Sequence, residues 1–220
     1  MKVITLDKTK ELLGITDSSS DVAITAKIPY IDSKVKQITR NRWNMQIVGS
    51  TISGSPYIPV YSIKGVNGIT YNYNKTDRRY YSAGINNNYS IDDLSEYIET
   101  GQLIEGFGIP TDSYIDEVYY DGYDYEIAGQ AYNVPFVKIS ANATATRNST
   151  QMFLGISIAY QDIIAKGIQY LINSTNTSTN KDRVISVGTV SYSDSEAAID
   201  GKYGMPSWFV KAFPKYAGGH

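Results

Sequence analysis

The stretch that decides the fold covers residues 21–43 and reads DVAITAKIPYIDSKVKQITRNRW. Five of its aliphatic residues recur at alternating steps of four and three, a spacing that places them on one face of a helix. These residues are Ile24, Ile28, Ile31, Val35 and Ile38. Pro29 interrupts the pattern, so we expect a kink or a late start of the helix there. The helix is predicted to end near Trp43.

The other side of this predicted helix is basic. A solvated face is the ordinary interpretation, because surface helices are commonly amphipathic. The basic residues are Lys27, Lys34, Lys36, Arg40 and Arg42.

A shorter helix is predicted before it. Thr5 or Asp7 can cap its start, and Gly14 stands where a helix end favours a left-handed residue. In the TDSSSD turn that follows, Ser18 and Asp21 stand three apart, which is the spacing of a capping arrangement.

The middle of the chain, residues 46–146, is rich in tyrosine, glycine and asparagine and holds fourteen of the twenty tyrosines. Asn67-Gly68 and Asp121-Gly122 each predict a tight hairpin turn between alternating strands. Residues 134–146 are predicted to form a strand that runs into a loop. The middle is therefore interpreted as an inserted β-rich subdomain.

One helix is predicted to interrupt these strands. It would run from Ser90, as its cap, to Gly101. Three of its residues would face inward: Leu94, Tyr97 and Ile98.

The last segment, residues 147–220, returns to helical spacing. A long helix is predicted over residues 152–172, followed by a polar loop and a strand or extended arm around residues 184–193. The stripe of that helix comprises Ile156, Tyr160, Ile163, Gly167, Ile168 and Leu171. Gly155 and Gly167 weaken the helix or permit close helix packing.

The chain then ends in GMPSWFVKAFPKYAGGH, residues 204–220. Pro206 is favourable in the first turn of a helix, and four large apolar residues occur at helical spacing around it. They are Met205, Trp208, Phe209 and Phe213. The predicted fold is α+β, with a small helical bundle from both chain ends and the β-rich subdomain inserted. Its segments are 1–45, 46–146 and 147–220.

Composition excludes several kinds of site. The chain has no cysteine, and its one histidine is His220, so disulfides, thiolate or histidine zinc sites and a Ser-His-Asp triad are not expected. The net charge is −2. Residues 1–43 carry eight Lys/Arg against five Asp/Glu, and residues 44–150 carry six against twelve. This imbalance is too weak for a dedicated nucleic-acid binder.

The start of the chain reaches charged residues too soon for a signal peptide, and no apolar run is long enough to cross a bilayer. We therefore expect a soluble, intracellular protein without membrane contact.

Acidic residues gather in IDEVYYDGYDYE, at Asp116, Glu117, Asp121, Asp124 and Glu126. A glycosidase site or a calcium loop would use carboxylates in this way. The calcium-loop order of acids is missing, however, and acids beside a hairpin ordinarily serve solubility and edge protection. We predict no enzyme and no cofactor.

The tyrosines admit three interpretations. Tyrosine suits half-buried strands, which explains many of them by packing alone. It is also favoured in recognition surfaces for proteins and sugars. Packing, protein contact and carbohydrate binding therefore stay open.

The two ends of the chain carry a family resemblance. Residues 3–44 contain a short helix that ends in LGI, an acidic serine turn and a helix with IPYID. The finish contains VISVGTVSYS, residues 184–193, and YGMPSWFVKAFPKY, residues 203–216. These motifs resemble the head–tail connector (head-completion or adaptor) proteins of tailed bacteriophages. The resemblance covers residues 3–45 and 150–216, and the tyrosine-rich middle departs from it.

The resemblance implies a structural, non-enzymatic virion protein of the neck, assembled in the host cytoplasm. Such proteins form a ring, usually twelvefold, beneath the portal and join the packaged head to the tail. The implied partners are further copies of the chain, the portal, tail or neck proteins, and double-stranded DNA that passes without sequence specificity. The alternative is a tyrosine-rich carbohydrate- or protein-binding module that does not assemble into a ring.

The resemblance also suggests which residues make contacts. The terminal helix and the arm are expected to grip the portal or the next subunit, or else the helix folds back on its own bundle. The interface candidates are Met205, Trp208, Phe209, Phe213, Tyr216, Val187 and Val190. Candidates for contact with the DNA channel or with a neighbouring subunit are Lys34, Lys36, Arg40 and Arg42.

Overall fold

The computed structural model of the chain consists of two compact units. One, here called the β unit, comprises residues 43–158; the other, the helical unit, comprises residues 2–42 and 159–220. The fold is mixed α and β, in agreement with the predicted α+β class. The structure describes residues 3–40, 43, 45–65, 68–83, 90–91, 94, 97–119, 125–127, 130–175, 185–187, 190–192, 199–200 and 202–213.

The β unit contains eleven strands among its described residues. They are β1 Met45–Thr51, β2 Tyr57–Lys64, β3 Thr70–Asn74, β4 Arg79–Ser82, β5 Ser90–Ile91, β6 Gln102–Gly106, β7 Ile115–Tyr119, β8 Tyr125–Ile127, β9 Gln130–Tyr132, β10 Phe136–Ile139 and β11 Arg147–Ser157. All pairings between them are antiparallel, and β8 pairs with β9 as a separate hairpin.

Six of these strands close on themselves. β1 lies between β2 and β11, and β11 pairs on its other side with β6. The first residues of β2 pair with β10, and β10 pairs with β7. A bridge between Leu103 and Tyr114 then joins β6 to β7 and completes the circuit. β3, β4 and β5 extend outward in succession from the second half of β2.

The core of the β unit follows from strand alternation, because successive side chains point to opposite faces. Ile47 on β1 and its partner Met152 on β11 are both fully buried, and exposed or half-buried residues alternate with the buried ones along β11. Tyr80 on β4 is buried as well, and its hydroxyl donates to the carbonyl oxygen of Val60 at 3.0 Å. Burial raises the pKa of this phenol far above its ordinary value.

The predicted starts of two helices in this unit are wrong. Residues 152–157 belong to β11 instead of opening a long helix, because β1 and β6 take their backbone hydrogen bonds on both sides. Ser90 lies in β5 and pairs with Tyr81, so it does not cap a helix. Leu94 lies in a 3₁₀ turn, and its carbonyl accepts the N–H groups of Tyr97 and Ile98. Residues 92–93 and 95–96 of the predicted helix lie outside the described residues. The predicted inward positions of Leu94 and Ile98 are confirmed, since both are buried.

Other predictions for the β unit agree with the structure. β2 and β3 form the hairpin predicted around Gly68, and β10 forms the strand predicted within residues 134–146. Asn67 and the Asp121-Gly122 turn lie outside the described residues.

The helical unit draws its helices from both ends of the chain. They are α1 Leu6–Leu13, α2 Asp21–Ile38, α3 Gln161–Thr175 and α4 Ser207–Ala212. A 3₁₀ turn, Ile158–Tyr160, precedes α3. Two short pairings accompany them, β12 Ile185–Val187 with β13 Val190–Tyr192, and β14 Ile199–Asp200 with β15 Met205–Pro206. α2 and α3 lie side by side, α1 contacts both, and α4 contacts α3.

The caps of α1 are those predicted. The Thr5 hydroxyl accepts a hydrogen bond from the backbone N–H of Lys8, and Gly14 ends the helix with φ 67°. Both groups satisfy backbone atoms that a helix end leaves unpaired.

α2 agrees with its predicted stripe but differs at both ends. All five predicted aliphatic residues are buried. The helix begins at Asp21, so Pro29 lies inside it and the predicted late start is wrong. It ends at Ile38, with Thr39 as the cap, instead of near Trp43. The N-cap of the helix is Ser20, whose side chain forms no capping hydrogen bond. Ser18 and Asp21 interact through the backbone instead of the predicted side-chain capping, because the Asp21 N–H donates to the Ser18 carbonyl oxygen.

Within the part of the chain that the structure describes, no helix combines the length and the apolar character that spanning a bilayer requires.

Gly49 is the position of the β unit least able to accept a side chain. A Cβ atom there would lie 2.3 Å from the carbonyl oxygen of Pro59 and 2.9 Å from Cε of Met152. The oxygen belongs to the backbone of β2, so relief requires the two strands to separate. We predict that Gly49→Ala lowers the free energy of unfolding of the β unit by about 3 kcal/mol.

Urea denaturation followed by far-ultraviolet circular dichroism measures this effect. Thr76→Ala, at an exposed turn position, serves as the control and should change stability by less than about 0.5 kcal/mol. Equal stability of Gly49→Ala and the wild type would contradict the close approach of β1 and β2.

Candidate interaction surfaces

The terminal helix α4 is packed into the helical unit by its large apolar side chains. Met205 and Phe209 are fully buried, and Phe213 keeps only 2% of its surface exposed. A Cβ atom at Gly167 of α3 would lie 2.6 Å from Cε2 of Phe209 and 3.1 Å from Cδ1 of Ile31. Side chains of α2 and α4 therefore meet at Gly167, which confirms that this glycine permits close helix packing.

Aromatic rings surround this contact. Tyr160 stacks on Phe213 with ring centroids 5.4 Å apart, and Trp208 meets Tyr170 edge-on at 6.5 Å. Burial raises the pKa of Tyr170. Trp208 is only half-buried. The burial of Met205, Phe209 and Phe213 agrees with the alternative that the helix folds back on its own bundle. Among the described candidates, Trp208 is the aromatic residue with exposed surface.

The remaining interface candidates are less fully defined. Val187 is the last residue of β12, and Val190 is the first residue of β13. The side chains of both valines lie outside the described residues, and so does the whole of Tyr216. A role of the seven candidates in assembly stays a prediction.

The outward face of α2 is uncharged, which corrects the predicted basic face. Val22 keeps 83% of its surface exposed and Tyr30 keeps 42%. The other exposed residues from the start of α2 to Gln37 are Thr25, Ala26, Pro29, Ser33 and Gln37. Lys27, Lys34 and Lys36 are half-buried at the margins, between this face and the buried stripe.

Two of the predicted contact lysines already have partners within the helix. Lys36 pairs with Asp32 at 2.7 Å, and the ammonium of Lys34 lies 5.2 Å from the centre of the Tyr30 ring. Arg40 is exposed, with a left-handed φ of 52°, just beyond the helix. Arg42 lies outside the described residues. Their contacts with DNA or a neighbouring subunit stay predictions.

The two described acids of the predicted cluster, Asp116 and Glu117, share one lysine partner. Nζ of Lys138 on β10 lies 2.9 Å from Asp116 and 3.2 Å from Glu117, both on β7. The Tyr119 hydroxyl donates to Glu117, and this bond holds the pKa of Glu117 below its usual value and raises the pKa of Tyr119 to about 12. Hydrogen bonds to Asp116 and Glu117 raise the pKa of Lys138.

These contacts make the described part of the cluster a cross-strand ion network. Lys138 is opposite Glu117 in the register of β7 and β10, so pairing of the two strands by itself places the charges together. Among the described residues, no group of three or more acidic or histidine side chains is arranged to hold a metal ion. Asp121, Asp124 and the side chain of Glu126 lie outside them.

A shallow polar depression of about 680 Å³ lies on the hairpin of β3 and β4. Its lining includes Asn72, Tyr73, Asn74, Asp77 and Tyr81. Amides, a carboxylate and tyrosine rings are groups that could bind a sugar, so the carbohydrate alternative would place its ligand here. It stays a prediction.

Comparison with known proteins supports the family resemblance. Residues 3–100 match the family model described as phage gp6-like head-tail connector protein. The match covers somewhat less than half of the chain and confirms the predicted resemblance to head–tail connectors, a structural and non-enzymatic family. No curated protein and no solved structure matches the chain.

The extent of the match differs from the predicted one. It continues from α1 and α2 through β1 to β5, whereas the predicted resemblance covers residues 3–45 and 150–216. The match does not include residues 150–216, where the resemblance stays a prediction. The departure assigned to the whole middle segment is therefore wrong for residues 46–100.

The contact at Gly167 generates a stability prediction for the helical unit. Gly167→Ala gains about 1 kcal/mol in helix propensity. It also forces the new methyl group against a buried ring, and overpacking of this kind costs about 1–3 kcal/mol. We expect net destabilisation of up to about 2 kcal/mol in thermal and urea unfolding, whereas Ser174→Ala, on the exposed end of α3, leaves stability unchanged. A more stable Gly167→Ala variant would contradict the packing of Phe209 on this glycine.

The bond between Tyr119 and Glu117 predicts a pH dependence. A phenol whose pKa rises on folding contributes stability that is fully present below its ordinary pKa of 10.0 and is lost as pH rises through about 12. In a tyrosinate absorbance titration, Tyr119→Phe should remove one transition near pH 12. Glu117→Gln should shift that transition down toward 10, because the charged acceptor is gone. An unchanged transition in Glu117→Gln would show that the carboxylate does not hold the phenol.

Proposed function

We propose that the chain is a head–tail connector of a tailed bacteriophage, a structural protein of the virion neck that joins the packaged head to the tail. The observation that carries this proposal is the family match over residues 3–100, which includes both N-terminal helices. In this proposal the chain forms a ring, usually twelvefold in the family it resembles, beneath the portal. Double-stranded DNA passes through it without sequence specificity, and assembly takes place in the host cytoplasm.

The outward face of α2 supports self-association. A ring needs two different lateral surfaces on each subunit, because a head-to-tail contact closes by rotation. Val22, Ala26, Pro29 and Tyr30 form an exposed helix face without charges, and a depletion of charge is typical of the centre of protein interfaces. We assign this face to the contact between neighbouring subunits.

The basic residues near α2 are assigned to the DNA channel or to the edge of that contact. Arg40 is exposed and Lys34 lies beside Tyr30, whereas the charge of Lys36 is largely balanced by Asp32. A channel with few unbalanced cations holds DNA weakly, because affinity for the phosphate backbone grows with the number of phosphates neutralised. Weak, non-specific contact suits a conduit through which DNA must move.

Trp208 is assigned to the contact with the portal or the next subunit. Tryptophan is enriched among residues that carry binding energy, and Trp208 keeps exposed surface beside a buried aromatic cluster. The ring of the buried Phe209 meets Trp208 edge-on, with the ring centroids 5.8 Å apart. The β12–β13 hairpin, with Val187 and Val190, is proposed to extend the same contact.

Native mass spectrometry of the purified protein, alone and with its cognate portal, tests the proposed function. A ring near twelve subunits, formed alone or only on the portal, supports it. A strict monomer that ignores the portal would overturn it.

Two substitutions are predicted to weaken assembly without unfolding the monomer. Val22→Glu places a charge in the proposed subunit contact, and Trp208→Ala removes the proposed anchor, so each should raise the concentration for half-assembly by at least about tenfold. Thr76→Glu adds the same charge at an exposed turn of the β unit and should assemble normally. Circular dichroism verifies folding, and loss of the fold in Trp208→Ala would assign that side chain to the core alone.

A further inference from the structure

The two units of the chain carry charge of opposite sign. The helical unit has fourteen Lys/Arg against ten Asp/Glu, whereas the β unit has six against twelve. Within the β unit, residues 80–137 contain eleven acidic residues and no lysine or arginine. We call residues 80–137 the acidic segment. Like charges so concentrated repel one another, and a cationic surface brought against them relieves that repulsion.

The acidic segment keeps exposed carboxylates. Lys138, the residue just after the segment, pairs with Asp116 and Glu117 on β7. Glu105 on β6 is exposed, and among the described residues it has no ion-pair partner. Glu99, shortly before β6, is exposed as well. One adjoining lysine leaves the segment with a large excess of negative charge.

In the helical unit, one margin of α2 is basic. Lys27, Tyr30 and Lys34 follow one another at steps of three and four, so they lie along the same side of the helix. The ammonium of Lys34 lies 5.2 Å from the centre of the Tyr30 ring. Lys36 lies on the opposite margin and is paired with Asp32. The cations of the first margin therefore have no acid on their own side of the helix.

The turn between β14 and β15 adds a third lysine to this margin. The Tyr30 hydroxyl lies 3.8 Å from the position that a Cβ atom of Gly204 would take. In the same turn Lys202 is exposed, with its ammonium 5.1 Å from the centre of the Tyr203 ring. The carboxylate of Asp200 accepts the backbone N–H groups of Lys202 and Tyr203, so it is engaged in holding the turn.

Together these residues form a lysine patch, which comprises Lys27, Lys34, Lys202, Tyr30 and Tyr203. Among the residues that the structure describes, none of the three lysines has an ion-pair partner. The patch adjoins the uncharged outward face of α2 through Tyr30, which keeps 42% of its surface exposed. Charged and aromatic residues at the edge of an uncharged surface are typical of a protein interface.

We infer that the lysine patch of one copy of the chain binds the acidic segment of a second copy. The chain itself carries both charges in excess, on different units, and a head-to-tail contact joins two different surfaces of the same protein. Complementary charges across such a contact fix the partner and its register. The inference rests on the proposed function and deepens it, because it names the two surfaces at the edge of the contact assigned to α2.

Zero-length crosslinking of an isotope-mixed assembly tests this contact. Unlabelled and isotope-labelled full-length chains are mixed before assembly, alone or with the cognate portal, and treated with a carbodiimide, which joins a lysine amine to a carboxylate in direct contact. Mass spectrometry then identifies crosslinked peptide pairs with one light and one heavy member, which come only from two copies. We expect such mixed pairs between Lys34 or Lys202 and carboxylates of residues 80–137. Lys166, which pairs with Asp162 on its own helix, should give pairs of a single isotope.

Charge reversal measures what the contact contributes to assembly. Lys34→Glu combined with Lys202→Glu should raise the concentration for half-assembly at least about tenfold, because two negative surfaces then face each other. Lys75→Glu, at an exposed position of the β unit, is the matched control and should assemble normally. Circular dichroism verifies that both variants fold.

The outcomes separate this inference from the proposed function. Rings without mixed pairs from either lysine to residues 80–137, or normal assembly of the doubly reversed variant, would overturn the contact alone. Normal assembly with weakened binding of double-stranded DNA by that variant would assign the patch to DNA instead. A chain that stays monomeric alone and with the portal would overturn the proposed function and this inference together.

Discussion

The pairing of β1 with β11 is the constraint on which the architecture depends. Met45, at the start of β1, is opposite Leu154, near the end of β11. Directly opposed residues of antiparallel strands lie about 5 Å apart, so the chain enters and leaves the β unit at neighbouring points. A unit whose ends are neighbours can be inserted into another with little disturbance. The helices before residue 43 and after residue 158 can therefore belong to one helical unit.

The same pairing explains which parts of the fold were predictable from the sequence. The caps of α1, the buried stripe of α2 and the helix after Pro206 depend on residues close together in the chain, and each was predicted. β11 was not, because its residues satisfy two periods. Met152, Leu154 and Ile156 alternate as in a strand, and Ile156, Tyr160 and Ile163 recur as on a helix. Only the distant partner β1 decides between them, and Ser90 is decided in the same way by β4.

Contact surfaces were predictable by residue type but not by exposure. The aromatic spacing of α4 is visible in the sequence. The burial of Phe209, however, depends on Gly167, some forty residues earlier, because the ring of Phe209 packs on the backbone of this glycine where a side chain would stand. The lysines of α2 were visible in the sequence, but their half-burial was not. The most exposed side chain of the helix face is that of Val22.

The family match ends within the β unit. The matched residues include α1, α2 and the strands β1 to β5, yet β1 and β2 take β11 and β10 as partners from beyond the matched range. Of the loops that follow β1, β6 and β10, residues 52–56 lie within the match, whereas 107–113 and 140–146 follow it. Surface loops tolerate change more readily than the strands that hold them. The matched strands β1 and β2 thus depend for their place in the closed sheet on β10 and β11, which lie outside the match.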